Sequence, residues 1–124
     1  MATLHGWDQL NANYSSATVE ALGTSGSLIT VPNLQLSSGW SKSTSTVRFL
    51  APVPFPAAQP DCFWADADLR LANGASPSNS GVQVIPETSL KALWFSWHLS
   101  SWSPANDDLL TYVRFIQKRF ADAR

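Results

Sequence analysis

Pro52-Val53-Pro54-Phe55-Pro56-Ala57-Ala58-Gln59-Pro60-Asp61-Cys62-Phe63-Trp64 is the stretch on which the fold turns. Proline has no backbone donor and cannot serve a central sheet ladder. Residues 52–56, with proline at every second position, are therefore predicted to be an extended, polyproline-like connector. The run that follows, Asp61 to Asp66, reads as a short strand with Cys62 and Trp64 on one face. The connector must then join two strands.

The strand before it is Ser45 to Leu50, where Val47 and Phe49 alternate with Thr46 and Arg48. Earlier still, Thr18–Leu22 and Ser27–Val31 flank Gly23-Thr24-Ser25-Gly26, a hairpin signal with glycines at the turn. Residues 37–43 have loop composition, and residues 1–16 are read as a tail. Beyond the fourth strand, Leu69 to Gly81 is rich in Asn, Gly, Ser and Pro and predicts a long loop. Glu87 to Leu99 has Leu90, Leu93, Trp94 and Trp97 at helical spacing. A last helix is expected from Ser103 as N-cap and Pro104 at the first position, with Asp107 and Asp108 in the first turn. Leu109, Tyr112, Val113, Ile116 and Phe120 form its apolar face. The expectation is one α+β domain over residues 1–124: a four-stranded antiparallel meander followed by two C-terminal helices.

Composition limits the functions. Apolar residues make up 44% of the 124 and charged ones 14%, with a net charge of -1. No basic footprint for nucleic acid or an anionic membrane is visible. Arg114, Lys118 and Arg119 gather near the end of the last helix, where they suit its dipole. No apolar run approaches the roughly 20 residues of a membrane span, and no basic-then-apolar leader opens the sequence, so a cytoplasmic protein is expected. Asn13-Tyr14-Ser15 is then a chance sequon. The single cysteine, Cys62, excludes an internal disulfide and a Cys-rich zinc site, and no metal or cofactor is expected. Asp107 and Asp108 lack a histidine or second carboxylate pair nearby and read as a helix start.

The proline stretch resembles a signature of the ubiquitin-conjugating fold. Pro52, Phe55, Pro56, Pro60 and Trp64 match in spacing, while Gln59 stands where a further proline is common. Trp102-Ser103-Pro104-Ala105 resembles the opening of the helix that follows the active site in that family. A bacterial ubiquitin-conjugating-like variant matches more closely still. Its Pro-Asp-x-Phe-Trp, Leu-Arg-Leu and Asp-Asp-Leu motifs correspond to Pro60–Trp64, Leu69–Leu71 and Asp107–Leu109. The resemblance covers Thr18 to Phe120. It implies a ubiquitin-like protein and an activating-type enzyme as partners.

The departures concern catalysis. The family's His-Pro-Asn motif falls near Arg70-Leu71-Ala72, which does not match. Its catalytic cysteine falls near Ser80 when counted forward and near Trp94–Ser96 when counted back. Cys62 stands at an apolar strand position between Asp61 and Asp66, where a buried, inert thiol is expected. A serine could carry an acyl group as an oxyester if a base lies beside it. The candidates are Ser80 and Ser96, with Ser76, Ser78, Ser100 and Ser101 nearby, and His98 as the base. On a helix, His98 would share a face with Trp94 and Trp102. Three functions follow. The chain carries or positions a modifier, by a serine route if covalently. It is an inactive scaffold for a ubiquitin-like protein or its activating enzyme. Or its six tryptophans, with Trp7 and Trp40 on the surface, make a carbohydrate-binding module of unrelated fold.

Overall fold

A computed structural model describes residues 4–96 and 101–124. The elements in order are α1 (Trp7–Asn13), β1 (Thr18–Ala21), β2 (Ser27–Gln35), β3 (Thr44–Ala51), β4 (Phe63–Ala65), β5 (Ser80–Val84), β6 (Lys91–Phe95) and α2 (Leu109–Ala121). The strands form one antiparallel sheet in the order β1-β2-β3-β4-β6-β5. The α+β class holds, but four expected strands become six and the two helices lie at opposite ends of the described chain.

The largest correction is the stretch expected as a helix over Glu87 to Leu99. It holds a hairpin tip and then β6. The register pairs Phe63 with Phe95, Trp64 with Trp94 and Ala65 with Leu93. Successive side chains of a strand point to opposite faces. Leu93 and Phe95 therefore join the core beneath α2, while Ala92 and Trp94 join a second cluster on the other face. Apolar residues on both faces give no alternation, so the run imitates a helical stripe. Trp97 lies outside the described residues.

The first face holds the main core. Ile29, Val31, Val47, Phe49, Phe63 and Phe95 meet Tyr112, Val113, Ile116 and Phe120 of α2, all buried. Each such side chain contributes roughly 1.5–3 kcal/mol by leaving water. Phe63 stacks on Phe95 at 4.8 Å, and Phe120 meets both rings edge-on at 5.5 and 5.7 Å. Trp40 closes the group, edge-on to Phe120 at 5.2 Å, and its Nε1–H donates to the Phe120 carbonyl at 2.7 Å. Trp40 is thus interior, not the surface anchor expected of it.

Three further expectations change. The stretch read as a tail contains α1, whose Leu10 is fully buried. α1 begins beside α2: Gly6, at φ 82°, has so little room that a Cβ would meet Asp108 Cβ at 2.6 Å. The connector expected to be extended over residues 52–56 bends and turns over residues 53–58, where the Ala58 amide donates to the Pro54 carbonyl at 2.7 Å. Finally, α2 starts at Leu109, not near Pro104. Ser103 lies in a separate turn, where its amide donates to Asp107 Oδ2 at 2.7 Å. Asp108 is the N-cap: its carboxylate accepts from the Thr111 amide at 3.0 Å, and the Thr111 hydroxyl accepts from the Asp108 amide at 3.1 Å. Ser103 was expected to cap the helix with Asp108 in its first turn; instead Asp108 is the cap, in a reciprocal pair with Thr111.

Candidate functional site

The two stretches that carried the resemblance lie 46 residues apart and meet in space. Trp102 Nε1–H donates to the Pro56 carbonyl at 2.8 Å. The Trp102 ring leans on Phe55 at 5.9 Å, and Phe55 in turn lies 6.3 Å from the His5 ring. The proline connector is therefore held by the turn that leads into α2. Trp102 is half-buried rather than a core residue.

Ser80 and Ser96 are brought to one end of the β5–β6 hairpin. Ser80 pairs with Phe95, and the Ser96 amide donates to the Asn79 carbonyl at 2.9 Å. The pleat separates their side chains. Ser80 shares the helix-side face with Phe95, and Ser96, one residue on, continues toward the opposite side. The Ser80 hydroxyl donates to the Pro77 carbonyl at 2.6 Å, which fixes the loop before β5. His98 and Ser100 lie outside the described residues; Ser76, Ser78 and Ser101 are exposed.

The expected long loop is structured. Leu71 bridges to Trp40, and the Ser41 amide donates to the Arg70 carbonyl at 2.8 Å. Arg119 ties its far end, through Ser78, to the C-terminal residues. Although it was expected at the solvent end of α2, it is only 2% exposed. Its Nη2 donates to the carbonyls of Ser78 at 3.2 Å and Arg124 at 2.8 Å, and its Nη1 to that of Asp122 at 3.0 Å. The guanidinium also lies 5.3 Å from the Phe95 ring and 5.7 Å from Trp40. Its place three residues after Ile116 and seven after Tyr112 puts its stem on the apolar face of α2, whereas Lys118 falls on the exposed one.

Cys62 is half-buried, on the sheet face away from α2. Burial pushes its thiol up, against a lowering contact with Trp94. Such a group is mostly protonated at neutral pH and a poor nucleophile. The expectation of an inert cysteine agrees with this environment, although the residue is less buried than expected. Among the described residues, no cluster of three His, Cys, Asp or Glu could hold a metal ion. No described helix is long and apolar enough to cross a membrane.

A single antiparallel sheet covered on one face by a C-terminal helix, with its proline connector tied to the turn before that helix, defines the class as an α+β domain. The sequence model of prokaryotic E2 family E matches residues 7–123, and the chain belongs to that family. No curated protein and no solved structure matches it. A tryptophan-rich module of unrelated fold is not what the chain is.

Proposed function

We propose that the protein carries or positions a ubiquitin-like modifier in a pathway that also contains an activating-type enzyme. The observation that carries this reading is the family match across residues 7–123.

The covalent form is a serine oxyester. A modifier held as a thioester on the activating enzyme is attacked by Ser96 Oγ. The C–S bond breaks, an O–C ester bond forms, and the serine proton passes through His98 to the departing thiolate. Ser96 is preferred to Ser80 because the Ser80 hydroxyl is engaged by Pro77. A non-covalent scaffold is the second reading. It is favoured by the environment of Cys62, whose raised thiol is unsuited to thioester exchange.

The test mixes the protein with a ubiquitin-like protein and activating enzyme from the same genome, and ATP. Intact mass should show an adduct that survives thiol reductant and yields to hydroxylamine. Ser96→Ala and His98→Ala should each reduce it, because a serine without a base is a weak nucleophile. Modifier binding without any adduct selects the scaffold. An adduct that reductant removes and that Cys62→Ala abolishes overturns both serine and scaffold readings.

A further inference from the structure

β1 and β5 form the two margins of the sheet, and they are not equally defended. A free strand edge presents unpaired backbone groups, which proteins ordinarily blunt with a charge, a proline, a bulge or a short strand. β1 is four residues long and carries Glu20. β5 is Ser80-Gly81-Val82-Gln83-Val84: no charge, no proline, and an unbroken register against β6. Val82 and Val84 are 46% and 53% exposed.

The register decides which groups face outward. The Ser96 amide donates to the Asn79 carbonyl and the Ile85 amide to the Leu90 carbonyl, both at 2.9 Å. In an antiparallel ladder bonded pairs alternate with unbonded ones. Gly81 and Gln83 are therefore bonded to β6, while Ser80, Val82 and Val84 turn their N–H and C=O groups away from it. No described residue bonds the Val82 and Val84 groups. Side chains alternate as well. Val82 and Val84 lie on the α2 side, in register with Leu93 and Lys91. Gly81 lies opposite the half-buried Trp94, and a Cβ on it would meet nothing within 4 Å. The hairpin carries two charged side chains. Glu87 is turned across the sheet, where its carboxylate accepts from the Thr24 amide at 2.8 Å, the Thr24 hydroxyl at 2.7 Å and the Ser25 amide at 3.3 Å. Lys91 is exposed beside Val84 and has no ion pair among the described residues.

We propose that β5 binds an extended peptide segment of a partner protein, added as a further antiparallel strand, with an acidic residue opposite Val84 and a large apolar residue opposite Gly81. The outward backbone groups of Val82 and Val84 hold the segment, as main-chain bonds do whenever a strand is added to a sheet edge. Lys91 meets the carboxylate across Val84, and the large side chain covers Gly81 and reaches the Trp94 ring. The antiparallel direction is the more stable pairing. A second copy of this chain does not complement the edge, because β5 itself has neither a carboxylate nor a large side chain to present. The site is separate from the modifier reading and does not depend on it.

The probe is the synthetic peptide acetyl-Ser-Glu-Thr-Val-Phe-Thr-Ser-amide, titrated into the full-length protein labelled with nitrogen-15 and followed by two-dimensional NMR. The Val82 and Val84 amide protons should move downfield in a saturable way and exchange more slowly with solvent. The peptide's Glu and Val amides would face β5, so N-methylation of both should weaken binding at least about fivefold. N-methylation of the Thr between them, whose amide faces away, should cost markedly less. Lys91→Glu, at an exposed position, should weaken the peptide about two- to fivefold, and exchanging the peptide's Glu for Lys should restore it. The proposal is overturned if millimolar peptide gives no saturable shift at Val82 and Val84, or if the shifts gather elsewhere. Equal effects of N-methylation at both sets of positions overturn it, as does an unchanged affinity in Lys91→Glu. It is also overturned if the same two amides shift with protein concentration alone and sedimentation shows a dimer, which assigns the edge to a second copy.

Discussion

Trp102 shows how much a single residue's surroundings change its energetic role. A fully buried tryptophan truncated to alanine costs about 3–5 kcal/mol. Being half-buried, with one hydrogen bond to Pro56, Trp102 should cost less. Trp102→Ala is expected to lose about 1–3 kcal/mol in urea denaturation, within the ordinary range for point changes. Trp102→Phe, which keeps the ring contact but not the donor, should lose about 1 kcal/mol. Cys62 provides a second test at this scale. Its raised, half-buried thiol should react with iodoacetamide far more slowly than free cysteine at neutral pH, and speed up only as alkali generates thiolate. Cys62→Ala should leave any modifier adduct intact. The flanking carboxylates pointed to a raised thiol, the direction that burial and then Asp61 also give it in the structure. Arg119 stands three residues after Ile116 and seven after Tyr112, so its inward position could be read from spacing, but the carbonyls of Ser78, Asp122 and Arg124 that receive it could not.

Elements were legible where one face is wet. β3 alternates buried and half-buried positions along its length, and the alternation of Val47 and Phe49 gave it away. β6 is covered on both faces and was mistaken for a helix; β5, with two exposed valines, was missed, its first two residues falling in the loop read over Leu69 to Gly81 and the rest matching no expected element. α2 was recognised by its stripe, but its start was displaced because Ser103 and Asp108 are both good N-caps. The reciprocal bonds between Asp108 and Thr111 allow a direct check. Asp108→Ala should cost about 1 kcal/mol, whereas Ser103→Ala, outside the helix, should cost markedly less. Chemical denaturation of both variants under the same conditions makes the comparison. An equal loss for the two would move the helix start back toward Pro104.

At the scale of the whole molecule, the α+β class could be read from the order of the elements. The insertion of β6 between β4 and β5 could not, because nothing local records which strand of a hairpin faces inward. Nor could the bond between Glu87 and the first hairpin, 63 residues away. That bond gives stability a dependence on acidity. The Thr24 amide, then the Thr24 hydroxyl, hold the Glu87 carboxyl below its ordinary value of 4.5. A lowered folded value means that the contribution is complete above 4.5 and disappears as pH falls through the folded value. Glu87→Gln should therefore be less stable than the native chain at neutral pH. The difference should close in acid, where the native carboxyl is itself protonated. A constant gap at all pH values would remove the carboxylate from the account.

The same clasp has a consequence for local breathing. Thr24 and Ser25 sit at the tip of a four-residue edge strand, where amide protons would ordinarily exchange with solvent almost freely. Both are held by a carboxylate from the far side of the sheet. Their hydrogen exchange should follow the opening of the β5–β6 hairpin and slow or quicken with it, so that the two margins of the sheet fray together as one unit.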